Sequence, residues 1–247
     1  MYRSIDINCD VGEGLNNEAD LLPYVSSCSI ACGGHAGTLE TMKHAVQLAK
    51  QHHVKIGAHP SYPDPANFGR KSMAISEAEL TKSIQEQIEN LTVILRAERA
   101  ELFHIKAHGA LYNDLAVDHR LVQLYLNAIA VYKDSTYLYV PYKSLIETEA
   151  LRNGFRIKRE AFADRNYHAN LRLVARNVPN ALIDNPENVL AHVVRMVNEK
   201  EVQTIAGTNV KIEADTYCIH GDTPSALKIL MYLSKELRKY KINFRGA

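Results

Sequence analysis

Net charge is almost absent from this chain: 29 lysines and arginines stand against 28 aspartates and glutamates, a formal charge of +1 over 247 residues. No block of like charge stands out, which excludes the basic stripe that holds nucleic acid or an anionic membrane. No apolar run approaches the roughly 18 residues that cross a bilayer, and the start of the chain lacks the charged-then-apolar pattern of a signal peptide. A cytoplasmic chain whose partner is a small molecule or another protein is therefore expected. Cysteine is scarce. Cys9, Cys28, Cys32 and Cys218 make no C-x-x-C pair and sit in apolar runs, which argues against a zinc ribbon and for reduced, buried thiols acting as small hydrophobes. Two nucleotide signatures are also missing, the G-x-x-x-x-G-K-[ST] loop and a G-x-G-x-x-G following a strand. "GEG" and "CGGHAG" have the flexibility to approach an anion but are weak as nucleotide motifs.

What is present is a hydrophobic fraction of 46%, enough for a substantial core, and an alternation of short apolar runs with stretches of helical period. With no repeat at solenoid period and no low-complexity linker, residues 1–247 read as a single domain. Helices are expected over Thr38–His52, from Ser76 onward, over His119–Lys133, Lys143–Asn153 and Pro186–Lys200, and from Thr223–Pro224 to about Tyr240. Ser76 and Glu79 form a capping box, and Asn185–Pro186 places a cap and a proline where a missing amide hydrogen costs nothing. Residues 201–214 read as a hairpin. Strands fall near 4–9, 28–32, 54–58, 102–107, 137–140, 155–162 and 216–220. That is seven, one fewer than the common barrel. A distorted, seven-stranded β/α barrel is expected, with an open doubly wound sheet as the alternative.

The residues leaving the strands carry the chemistry. "INCDVGEG" opens as an alternating strand and ends in Asn8, Asp10 and Glu13 beside glycines, and the later ends read "ACGGH", "GAHP", "KAHG", "FADR" and "IHGD". In a parallel barrel every C-terminal strand end lies on one face, so Asp10, His35, His59, Lys106, His108, Asp164, Arg165, His220 and Asp222 should converge there. Imidazoles and carboxylates from several strands can hold a divalent metal, or serve as general acid and base without one. Lys106, Arg165, Arg70 and Arg176 add positive charge suited to a carboxylate or phosphate. The loop "GAHPSYPDPANFGR", stiffened by three prolines and freed at Gly69, reads as a lid or binding loop. His44, His52, His53, His119 and His192 fall in or beside helical stretches and read as surface or interface residues.

Taken together, "DINCDVGEG", "IACGGHAG", "IGAHPSYPDPANFGR", "KAHGALYN", "EAFADRNY", "LVAR" and "CIHGDTP" resemble, in order, the motifs of the LamB/YcsF family. The resemblance implies a barrel similar to the glycoside hydrolase/deacetylase superfamily. It also implies cleavage of 5-oxoproline to L-glutamate coupled to hydrolysis of ATP as co-substrate, with two further subunits, PxpB and PxpC. Carried over by position, Asp6, Asn8, Asp10 and Glu13 match the first motif and His35 the second; His59, Tyr62, Asp64, Phe68 and Arg70 match the third. Lys106, His108 and Tyr112, then Asp164 and Arg165, then His220 and Asp222 match those that follow. On this reading Asp10, His59, His108, Lys106 and Asp222 are catalytic. Asn8, Glu13, His35, Tyr62, Arg70, Tyr112, Asp164, Arg165, Arg176 and His220 bind substrate. By analogy with deacetylases of similar fold, Asp10, His59 and His108 are the trio for a divalent metal ion. Gly34, Ala107 and Asn180 depart from the pattern, where Phe, Pro and Gly are expected; the first two remove bulk beside the candidate ligands. The rival readings are a metal-dependent amide or carbohydrate deacetylase and a non-catalytic lactam-binding subunit.

Overall fold

Asn8 to Val11 of strand β1 (Arg3–Val11) pair with β2 (Ser27–Ala31), while Asp6 to Asp10 pair on the other edge with β9 (Thr216–His220). A strand with partners on both edges, the second drawn from the far end of the chain, closes a sheet into a barrel and leaves no unpaired edge. The computed structural model describes residues 2–244. Between β2 and β9 the ring runs through β3 (Lys55–His59), β4 (Leu102–Ile105), β5 (Tyr137–Pro141) and β6 (Arg156–Phe162), all parallel, so seven strands close it. The open sheet is excluded. The hairpin expected over 201–214 forms separately as β7 (Glu201–Gln203) and β8 (Asn209–Lys211). Strand β10 (Ile242–Phe244) extends the sheet beside Arg3–Ile5, before β9 begins to pair at Asp6.

Helices α1 (Glu18–Leu21), α2 (Leu39–Gln51), α3 (Glu77–Ala97), α4 (Gly109–Leu115), α5 (His119–Ala128), α6 (Leu145–Arg152), α7 (Pro186–Asn198) and α8 (Ala226–Glu236) connect the strands. Their caps are side chains visible in the sequence. Ser76 Oγ accepts from the Glu79 amide while Glu79 reaches back to Ser76, and Asn185 accepts from the Asn188 amide. The final helix differs from expectation. It starts at Ala226 with no side-chain cap, and the Thr223 hydroxyl donates to Asp164 at 2.8 Å. The helix expected to reach Lys133 ends at Ala128 and tightens into a 3-10 turn over Ala130–Tyr132. No helix among the described residues is long and apolar enough to cross a membrane.

Alternation along the strands separates two environments. Odd positions of β1, Ile7, Cys9 and Val11, belong to the apolar core, while even positions point into the barrel. That interior is polar and hydrogen-bonded between strands, with the buried His104 Nδ1 left without a partner. Asp6 Oδ1 accepts from Ser27 Oγ and Thr216 Oγ1, each at 2.8 Å, and Ser27 Oγ lies 3.2 Å from Tyr139 Oη across the barrel. One layer up, Ser29 Oγ meets His104 Nε2 at 3.0 Å, and the His104 ring stacks on Tyr139 at 3.9 Å. Gly57 makes room for that ring, since a Cβ there would stand 2.2 Å from His104 Nε2. All four cysteines are free and buried, as expected.

Candidate functional site

The upper layer of the barrel centres on the ammonium of Lys106. Its Nζ lies 2.8 Å from Asp10 Oδ1, 2.9 Å from Glu160 Oε1, 3.2 Å from Cys218 Sγ and 3.3 Å from Asn8 Oδ1, so residues of β1, β6 and β9 meet on one cation. Every member is buried. Burial alone would lower the Lys106 pKa, but the negative charge of Asp10 holds it well above the usual lysine range. Burial alone would raise Asp10; the neighbouring His59 and the Lys106 ammonium outweigh it and hold the carboxyl well below its usual range.

Beside this ion pair three histidine rings pack edge and face. His59 Nε2 lies 3.3 Å from Asp10 Oδ2 and 3.0 Å from His108 Nδ1. His35 stacks flat on His108 with centroids 3.6 Å apart, and its Nε2 lies 3.0 Å from Glu13 Oε1. Burial lowers the His35 pKa to about 4, and burial together with Asp10 pushes Glu13 up to about 7. The donor types and their convergence fit a divalent metal ion.

The loop after β3 closes over these rings. Phe68 packs its edge against His35 and His108, and its carbonyl faces His108 Nε2 at 3.0 Å. The Gly69 carbonyl accepts from the Ala110 amide at 2.9 Å. Gly109 permits this approach: its φ is +59°, and a Cβ there would stand 2.5 Å from that carbonyl oxygen. Tyr62, expected to bind substrate, does not line the cavity; its hydroxyl donates to Asp114 at 3.0 Å and fastens the loop to α4.

A cavity of about 660 Å³ opens over Asp10, His59, Lys106, His108 and His220. The same cavity is lined by five cations, Arg70, Lys71, Arg165, Arg172 and Arg176. Arg165 is buried; its Nη2 donates to the Val174 carbonyl at 2.6 Å, while its Nε has no partner. Asp222 takes Arg176 through both oxygens, at 3.1 and 3.2 Å, and also pairs with Arg70 of the lid. It is thus a clasp between loops rather than a cavity-lining group. Asp164 lies beneath, receiving His220 Nδ1 at 2.9 Å, the His220 amide at 2.9 Å and the Thr223 hydroxyl. Burial would raise Asp164, but His220 and these hydrogen bonds keep it low. Tyr112 lines both this cavity and an adjoining chamber of about 210 Å³. A larger, open hollow of about 860 Å³ lies between α3 and α5, but it gathers none of the buried polar groups described above.

The expected strand-end residues therefore meet, with Tyr62 and Asp222 in supporting places. Sequence reasoning missed Glu160, whose inward position shows only when residues 160, 162 and 164 are counted along β6 in steps of two. It also missed Arg172 and Lys71. Among the other histidines, His192 departs from the surface reading: it is partly buried, its Nε2 enclosed, and its ring stacks near Tyr167. The small residue at Gly34 leaves no gap. A Cβ there would stand 2.2 Å from Gln87 Oε1 and 2.4 Å from Ser61 Oγ, so α3 fills the space. Asn180 has a φ of 61°, a left-handed conformation that glycine and asparagine both tolerate.

A profile of the LamB/YcsF family matches residues 5–247. A protein of Shouchella clausii named as the A-subunit of 5-oxoprolinase is 39% identical over 99% of this chain and 99% of its own length. Its namesake in Chloroflexus aggregans is 42% identical over 90% of each chain. The crystal structure of a lactam utilization protein from Thermus thermophilus superposes with a TM-score of 0.88 at 34% identity, covering 99% of this chain and 100% of that one. On this full-length agreement of sequence, barrel and strand-end motifs, the chain belongs to the LamB/YcsF family.

Proposed function

We propose that this chain is the lactam-binding, catalytic subunit of an ATP-dependent 5-oxoprolinase, working with PxpB- and PxpC-type partner subunits. One observation carries the reading: a single cavity is lined by both the Asp10–Lys106–His59 group and the buried Arg165, whose Nε has no partner, in a chain 39% identical to the A-subunit of a 5-oxoprolinase. A neutral carbohydrate gives no reason for a wall of four arginines and a lysine. A small cyclic amide bearing a carboxylate does, since guanidinium groups pair with carboxylates in a fixed fork.

Amide resonance makes the lactam carbon a poor electrophile. Transfer of the γ-phosphoryl group of ATP to the lactam oxygen releases ADP and gives an imidate phosphate. Water then adds to the carbon, and Asp10 takes its proton. Collapse breaks the C–N bond, the nitrogen leaves protonated as the amine, and the resulting acyl phosphate is hydrolysed by a second water to glutamate and phosphate. Lys106 keeps Asp10 ionised and in place for the proton transfer. The arginines at the mouth balance the phosphoryl charge, and, in the absence of a nucleotide loop motif in this sequence, a partner subunit holds the rest of ATP. The test is glutamate and phosphate release by the assembled complex carrying Asp10→Ala or His59→Ala. Large losses in both products are expected. Rates near those of the unsubstituted complex, with lactam binding retained, would instead support the non-catalytic binding subunit.

A further inference from the structure

The hydrogen bonds on the far side of two rings decide what lies on the near side. Carbonyl oxygens only accept, so His59 Nδ1 donates to the Lys106 carbonyl at 2.9 Å and His108 Nε2 donates to the Phe68 carbonyl at 3.0 Å. Each neutral ring has one hydrogen, and both are thereby used. The lone pairs of His59 Nε2 and His108 Nδ1 are left facing each other at 3.0 Å. His59 Nε2 also faces an oxygen of Asp10 at 3.3 Å. Two lone pairs at that separation repel unless a cation lies against both. Outer nitrogens tied to backbone carbonyls are also how proteins fix the tautomer of histidines that ligate metals.

A shared proton relieves one pair only, whereas more donors gather here. Ligand atoms of Glu13, His35, His59 and His108 all lie within 4.8 Å of one another. The Glu13 oxygen that meets His35 is also 3.5 Å from His108 Nδ1. The chain is shaped to enclose this cluster: a Cβ at Gly69 would stand 2.9 Å from the His35 Cβ and 3.1 Å from His108 Cδ2, so glycine lets the lid lie directly on the rings. Another group, Asp10, Cys218 and His220, is equally close-set. There the Lys106 ammonium already occupies the place of a cation, at 2.8 Å from Asp10 and 3.2 Å from Cys218.

We propose that Glu13, His35, His59 and His108 together bind one divalent transition-metal ion, with Asp10 held beside the site by Lys106 rather than serving as an essential ligand. Three imidazoles and one carboxylate are a borderline donor set, suited to Zn²⁺ and to Co²⁺ as its spectroscopic substitute. When bound, such an ion acts as a Lewis acid toward a carbonyl or water oxygen. The inference rests on ring tautomers and donor positions and is independent of the reaction proposed above.

The test uses the full chain, stripped with chelator and checked for folding by circular dichroism. Metal content after Zn²⁺ loading and the visible absorption of the Co²⁺ form are then read, with no turnover measured. One equivalent is expected for the unsubstituted chain and for Asp10→Asn, with Co²⁺ bands of a nitrogen- and oxygen-ligated ion. Glu13→Gln and His35→Ala should each lose stoichiometric binding while keeping the folded spectrum. The inference is overturned if the folded, unsubstituted chain takes up no ion. It is overturned equally if Asp10→Asn loses the ion while Glu13→Gln and His35→Ala retain it. Undiminished lactam cleavage by Asp10→Asn in the assembled complex, with metal content unchanged, would count against the proposed reaction and not against this site.

Discussion

Lys106 and Asp10 face each other across the barrel at 2.8 Å, both nearly fully buried, and Glu160 touches the same ammonium at 2.9 Å. One cation thus serves two carboxylates brought from opposite parts of the sequence. Removing it leaves both carboxylates buried without their ammonium. Lys106→Met preserves most of the side-chain volume and should still destabilise the fold by about 3–5 kcal/mol, the range for breaking a buried ion pair from one side. Urea denaturation monitored by circular dichroism measures this, and a loss below about 1 kcal/mol would mean that the pair does not stabilise the barrel.

Asp164 allows a prediction about acid. Its carboxyl is fully buried and held below its ordinary value by His220 and by hydrogen bonds from that residue and Thr223, against the upward push of burial. A depressed folded-state pKa means that the stabilisation is complete above the unfolded value of about 3.9 and disappears as pH falls through the lower folded value. The stability difference between the unsubstituted chain and Asp164→Asn should therefore be steady from neutral pH to about pH 5 and shrink below about pH 4. Denaturant midpoints across that range check it; a gap that widens in acid contradicts the assignment.

How far the sequence revealed this depends on whether a signal is local. The strand ends were legible because Asp10, His59, His108 and His220 interrupt apolar runs beside glycine or proline. Glu160 was not: it follows "RIKR" and looks like one more surface charge until Lys106, on another strand, supplies its partner. The short α4 and β10 were missed because seven and three residues are too few to establish a period. The last helix begins at Ala226 rather than at Thr223–Pro224, where Thr223 instead donates to Asp164, a partner that only the tertiary fold supplies.

Gly34 makes a prediction from two positions. Gln87, on α3, donates to the Ser61 carbonyl and accepts from the Ser61 amide, both at 2.9 Å, and fills the space above Gly34. Gly34→Ala should cost about 1–3 kcal/mol through overpacking. Gln87→Ala alone strands two backbone groups of Ser61. Combined, the substitutions should cost less than the sum of the single effects, because the clash with Gln87 disappears and only that with Ser61 Oγ is left, and a double-mutant cycle on unfolding free energies reads that coupling. Strict additivity would show that the glycine is not required by Gln87.

Arg165 carries the last prediction. Its Nη2 is fixed to the Val174 carbonyl, its Nε is buried and without a partner, and it lines the same cavity as Asp10 and Lys106. A guanidinium placed so has one edge tied down and polar capacity left over, the arrangement expected of a group that receives a substrate carboxylate on entry. A charged hydrogen bond of this kind contributes about 1.5–3 kcal/mol, so Arg165→Met in the assembled complex should raise KM for 5-oxoproline roughly 10- to 100-fold. The loss should fall mainly on KM, because the carboxylate lies away from the bond that breaks and is held alike in ground and transition states. Arg165→Lys restores charge without the fork and should recover only part of the affinity. A fall in kcat with KM unchanged would instead place Arg165 against the phosphoryl group, whose charge changes during the reaction while the carboxylate's does not.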